Sequence, residues 1–147
     1  MLAQRTIRNK VTASGVGLHS GKKVNLVLHP ADPDTGVVFR RTDGDKVVEI
    51  PALLNFVGNT TLSTTLENDG YEISTIEHLL SALAGTGVDN CIIECDGPEI
   101  PIMDGSAVDF VDAIRSVGIE EQSEGRKFIK ALKKVQKLNT IFIFNIH

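Results

Sequence analysis

Long apolar runs are missing from this 147-residue sequence. No stretch approaches the roughly 20 apolar residues of a membrane-spanning helix, so no transmembrane segment is expected. The opening residues, Met1-Leu2-Ala3-Gln4-Arg5-Thr6-Ile7, carry no apolar signal core, which predicts a cytoplasmic protein. An excess of basic residues is missing too. The formal net charge is -4, whereas a phosphate-binding face needs the opposite sign, so nucleic acid is not an expected partner. Cysteine is scarce: Cys91 and Cys95 lie in Asn90-Cys91-Ile92-Ile93-Glu94-Cys95, with no second pair to make a zinc knuckle. On a strand that spacing puts both thiols on one face, and buried, reduced, structural side chains are expected. Internal repeats and low-complexity tracts are absent as well.

What remains is an ordinary globular composition, 41% hydrophobic and 23% charged, at a length that suits one well-packed domain. Strand patterns dominate the first seventy residues. Val24, Leu26 and Leu28 alternate with Asn25, Val27 and His29, a period of two. Breakers at Gly15-Val16-Gly17, Ser20-Gly21-Lys22, Pro30-Ala31-Asp32-Pro33-Asp34 and Thr42-Asp43-Gly44-Asp45 cut out further strands at 36–40 and 46–50. The β-branched run Thr60-Thr61-Leu62-Ser63-Thr64-Thr65-Leu66 predicts another.

Two helices follow. The first is expected over 75–84, where Ile76, Leu79, Leu80 and Leu83 form an apolar stripe and Gly85 and Gly87 end it. The second is expected from about Ser106, with Val108, Val111, Ile114 and Val117 as its buried face and Gly118 as its stop. The fold class is therefore α+β: a two-layer sandwich, one mostly antiparallel sheet with two helices on one face. Residues 1–125 make the domain. Residues 126–147 read as a linker and atypical tail, opened by a charged hinge over 120–127.

The chemistry concentrates at Glu77-His78, which puts a carboxylate beside an imidazole where a polar loop enters an apolar helix. Such a pair can serve as general base and metal ligand. It also has a plainer reading. Ser74-Thr75-Ile76-Glu77 fits a capping box, in which Glu77 reaches back to the cap's backbone N–H, and His78 fits a half-exposed helix histidine. A catalytic zinc uses about three protein ligands and a water, so one histidine cannot complete such a site. His19 follows a glycine-rich turn where backbone could approach a ligand closely; His29 precedes Pro30 at a strand end and reads as structural; His147 closes the tail and carries no assigned role. The loop 97–106 could feed an anion to a helix N-terminus, but Glu99 and Asp104 argue for self-capping.

Longer motifs narrow the choice. Gln4-Arg5-Thr6-Ile7, Gly15-Val16-Gly17-Leu18-His19-Ser20-Gly21, Pro30-Ala31, the segment Thr75-Ile76-Glu77-His78-Leu79-Leu80-Ser81-Ala82-Leu83-Ala84, Gly87-Val88-Asp89-Asn90 and Gly97-Pro98-Glu99-Ile100-Pro101-Ile102-Met103-Asp104-Gly105-Ser106-Ala107 closely resemble the UDP-3-O-acyl-N-acetylglucosamine deacetylases, the zinc amidases of lipid A synthesis. The similarity runs from about Leu2 to Val135. It implies a two-domain enzyme with the active site between halves that each hold a sheet and two helices. By resemblance Glu77 is the general base and His78 one of three Zn2+ ligands, while Leu18, His19, Leu62 and Ser63 lie near the substrate entrance. The substrate implied is a UDP-linked acylated glucosamine.

The sequence departs from the family in length. The resemblance implies a second half with a His-x-x-x-Asp ligand pair, and no His-x-x-x-Asp occurs in these residues. The expectation is the first half of a deacetylase, inactive alone, with its missing half in cis or in trans. A non-catalytic subunit or binding module that pairs with a separate polypeptide is the alternative, and a decayed gene product a third. If the helices normally pack against a second domain, their outer face should be apolar and drive self-association.

Overall fold

A computed structural model describes residues 2–130 and 132. Among them are nine strands and two α-helices: β1 Ala3–Ile7, β2 Val11–Val16, β3 Lys23–Pro30, β4 Val37–Arg41, β5 Val48–Pro51, β6 Thr65–Asn68, β7 Tyr71–Ser74, α1 Glu77–Thr86, β8 Cys91–Cys95, α2 Val108–Val117 and β9 Ile119–Gly125. The α+β class holds. The single sheet does not: a five-stranded sheet, ordered β2-β3-β8-β4-β5, is accompanied by two separate ribbons, β1-β9 and β6-β7. The main sheet is antiparallel except where β4 runs parallel to β8.

Period two explains the sheet's sidedness. Val24, Leu26 and Leu28 of β3 are buried, and Cys91, Ile93 and Cys95 of β8 share their face. Phe39 of β4 is paired in register with Ile93 and is fully buried. Leu79, Ala82 and Leu83 of α1 and Phe110 and Ile114 of α2 complete the same core, so both helices cover one face and pack on each other. The opposite face is half-open and polar, with His29 lying 3.1 Å from the Glu94 carboxylate. That approach lacks hydrogen-bond geometry.

Local chemistry shifts several boundaries. The β6–β7 hairpin closes through Asp69 at φ +51° and Gly70 at φ +77°, the pair of positive values that a tight primed turn needs. Only Thr65 and Leu66 of the β-branched run join a strand. In α2 the anchor is Phe110 rather than Val108, which is 55% exposed, and Ala107 stands at the N-terminal boundary in place of Ser106. The outward positions of α1 are Glu77, Ser81, Ala84 and Gly85; those of α2 are Val108, Asp109, Asp112, Arg115 and Ser116. They are mostly small or charged, not the apolar face expected of the helices.

The charged hinge is corrected outright. Residues 119–125 form β9, antiparallel to β1, and polar side chains hold it down. Asn90 donates to Gln4 (2.8 Å) and Gln122 (2.7 Å), and Gln122 donates to the Ala31 carbonyl (2.8 Å). Arg126 donates to the Asp89 carboxylate (2.9 Å) and to the Gly87 carbonyl (2.6 Å). The expectations for the apolar tail and for His147 lie outside the described residues.

Candidate active site

Helix α1 is the platform on which Glu77 and His78 sit, and its first residue is Glu77 itself. Its C-terminus lies two residues beyond the expected 84. Gly85 is taken into the helix, which runs to Thr86, and of the two expected stops only Gly87 acts, donating back at φ +78° to Ala84 and Leu83. Its N-terminus is not the expected one either. Ile76 occupies the boundary with helical φ and ψ, and no side chain caps it. The capping box fails because Glu77 is engaged elsewhere: its carboxylate accepts the backbone N–H of Thr64. Partial burial works against the charged carboxylate, but the Thr64 and Glu77 N–H groups, the Thr64 hydroxyl and the neighbouring His78 outweigh it. Together they hold Glu77 below the usual carboxylate range.

The residue before that boundary is strained. Thr75 is buried and adopts φ +59°, a left-handed conformation that a β-branched residue rarely takes and that costs about 1–3 kcal/mol. Its hydroxyl donates to Glu99 Oε1 at 3.2 Å. The same carboxylate accepts the N–H of His19 (2.9 Å) and of Ser20 (2.8 Å). Burial of Glu99 disfavours its charge, yet these donors keep its carboxyl below the ordinary value. Two carboxylates therefore tie two loops to the start of α1: Glu77 holds 62–64, and Glu99 holds 17–20. Each loop carries exposed leucine, with Leu18 at 59% and Leu62 at 81%.

Glu77, His78, the Leu18-His19 loop and the Leu62-Ser63 loop are thus linked by hydrogen bonds through Thr64, Thr75 and Glu99. Sequence reasoning missed the linking residues. Thr75 and Thr64 carry no local signal, and Glu99 was read as a self-capping acid. Asp104 does behave that way, accepting from the Ser106 N–H (2.8 Å) and hydroxyl (2.7 Å). These bonds lead the causes that lower its pKa, and nearby His78 adds to them. A cavity of about 850 Å³ lies elsewhere, between Arg41, Phe56, Glu67, Tyr71, Glu72 and Pro98. Its one cation is already paired with Asp43 at 2.7 Å, and no predicted site residue lines it, so chemistry rather than volume locates the site.

Could these residues hold a metal? His78 fits as one donor, since its Nδ1 is buried with no hydrogen-bond partner and a ligating imidazole needs an acceptor or metal at each nitrogen. A complete set does not exist: among the described residues no group of three His, Cys, Asp or Glu side chains is placed to bind an ion. The cysteines, both fully buried in the core, belong to no such group. Burial pushes the Cys91 thiol up to about 12 and that of Cys95 to about 11, and a thiol must ionise to ligate. Alkylation of either cysteine at pH 8 is expected to be at least about tenfold slower in the folded protein than in urea, by the thiolate rule. Labelling at equal rates, read by mass spectrometry, would contradict this.

Residues 4–142 match the family model described as LpxC, UDP-3-O-acyl N-acetylglycosamine deacetylase, which extends the similarity beyond Val135. The UDP-3-O-acyl-N-acetylglucosamine deacetylases of Hahella chejuensis and Saccharophagus degradans are each 58% identical over 135 residues, and that of Coxiella burnetii is 55% identical over 136. Each alignment covers 92% of this chain and 45% of the relative, so the chain spans about half the length of the curated relatives it matches. On the match to the family model over residues 4–142 and these identities, this chain belongs to the UDP-3-O-acyl-N-acetylglucosamine deacetylase family.

Proposed function

We propose that these residues form the first half of a zinc-dependent amide hydrolase, which removes the N-acetyl group of a UDP-linked 3-O-acyl-N-acetylglucosamine in lipid A synthesis. Residues 1–125 are its first domain, 126–147 a linker and atypical tail, and the enzyme works in the cytoplasm. The observation that carries the reading is the adjacency of Glu77 and His78 at the head of α1, in a chain of this family.

His78 would hold the ion as one ligand of about three; the others come from a second half. When bound, the metal would polarise the acetamide carbonyl and acidify a water. The rest of the chemistry belongs to this chain. Glu77, kept ionised by its donors, accepts the proton of the attacking water at its carboxylate, which general-base catalysis requires within hydrogen-bond reach. Leu18, His19, Leu62 and Ser63 border the substrate on the two tethered loops.

A polypeptide limited to these 147 residues is expected to release no acetate from that substrate in the presence of Zn2+, because the described residues hold no complete donor set. Activity should return on joining or mixing with the second half of a relative. Zinc-dependent acetate release by the 147-residue polypeptide alone would overturn the half-site reading.

A further inference from the structure

Glu99 is the one buried carboxylate among the described residues, 2% exposed. None of its donors comes from the core. His19 and Ser20 lie in the 17–20 loop and Thr75 lies two residues ahead of Glu77. We infer that Glu99 is a positioning residue that locks the loop bearing Leu18 and His19 to the first turn of α1, making the two one rigid unit. Its weight for catalysis rests on reading Glu77 and His78 as base and ligand.

Three features converge on that role. The backbone beside Glu99 is itself fixed to the helix approach: Ser74 donates to the Pro98 carbonyl and Ile100 donates to the Ser74 carbonyl, each at 2.9 Å. Gly17 leaves no room for a side chain, since a Cβ there would overlap the Ser20 hydroxyl and the Glu99 carboxylate. The loop is therefore pressed against Glu99, not merely near it. Thr75, finally, sits in the left-handed region at φ +59°. Such strain persists only where surrounding contacts over-determine it, and the Glu99 carboxylate is the partner of the Thr75 hydroxyl. Release of Glu99 should free the loop and let Thr75 relax, turning the first residues of α1.

Amide hydrogen exchange followed by NMR on the whole 147-residue chain tests this without any assay of activity, so a failure of the deacetylase reading would leave the result intact. In Glu99→Gln, exchange at the His19, Ser20 and Leu80 amides should accelerate at least about tenfold, the effect of losing charge-assisted bonds, while amides of β3 and β8 stay within about twofold. Glycine adopts φ +59° without strain. Adding Thr75→Gly to Glu99→Gln should therefore return the Leu80 amide to its original rate and leave His19 and Ser20 fast. No change at the loop and Leu80, or equal acceleration throughout the core, overturns the proposal; failure of Thr75→Gly to restore Leu80 overturns the coupling. Should Glu99→Gln not fold, Gly17→Ala pushes the loop off an intact Glu99 and must give fast exchange at His19 and Ser20.

Discussion

Glu77→Gln is expected to lower kcat by about 10²–10⁴-fold, the usual contribution of a general base, with zinc content unchanged. The suitable background is a chimera in which the aligned 135 residues of this chain replace their counterparts in the Hahella chejuensis relative. Glutamine keeps an oxygen that can accept the Thr64 N–H, so the 62–64 loop stays tethered and KM should hardly move. Glu77 is also exposed, and the stability cost should stay within about 0.5 kcal/mol, as for other surface substitutions. His78→Ala should behave differently. It removes a donor, so zinc stoichiometry by elemental analysis should fall together with activity. Full activity in Glu77→Gln, or unaltered zinc in His78→Ala, would remove these residues from the roles proposed.

Those roles could be suspected from sequence because Glu77 and His78 are neighbours. The supports around them could not. The capping box was a sound local reading, but local spacing cannot show a competitor. Thr64, thirteen residues upstream, takes the Glu77 carboxylate. Glu99 belongs to the same class, since its main-chain donors are about eighty residues away. Patterned elements fared better. The alternation in β3 and the stripe in α1 are written in apolar residues whose burial the core demands. Strand β9 has no such pattern. Its partner β1 offers a ribbon held by ion pairs and amides, among them Arg5 with Glu121 at 3.0 Å, so the segment reads as a solvated charge run until its pairing is known.

That ribbon gives the largest stability effect expected outside the apolar core. Asn90 is 1% exposed and sits where β1, β4 and β9 meet. Its amide nitrogen serves Gln4 and Gln122, and its oxygen accepts the Gly36 N–H at 2.7 Å. Asn90→Ala leaves these groups differently placed. Gln4 still accepts the Asp34 N–H at 2.8 Å, but the Gly36 N–H and the Gln122 oxygen lose the Asn90 partner. Each such group left unsatisfied costs about 1–3 kcal/mol, so losing these two partners should destabilise by roughly 2–6 kcal/mol. Against a total stability of about 5–15 kcal/mol, that is a large share. Urea unfolding should show the midpoint fall with little change in slope, whereas Thr12→Ala on the exposed edge of β2 should shift stability by no more than about 0.5 kcal/mol. The loss should also be felt first at β9, because Gln122 is the strand's inward anchor. Amides of residues 120–124 should exchange faster than those of β8, which keep both neighbouring strands. A stability change under about 1 kcal/mol would mean that water replaces Asn90 without difficulty, and that the ribbon is held by its charges and not by this buried amide.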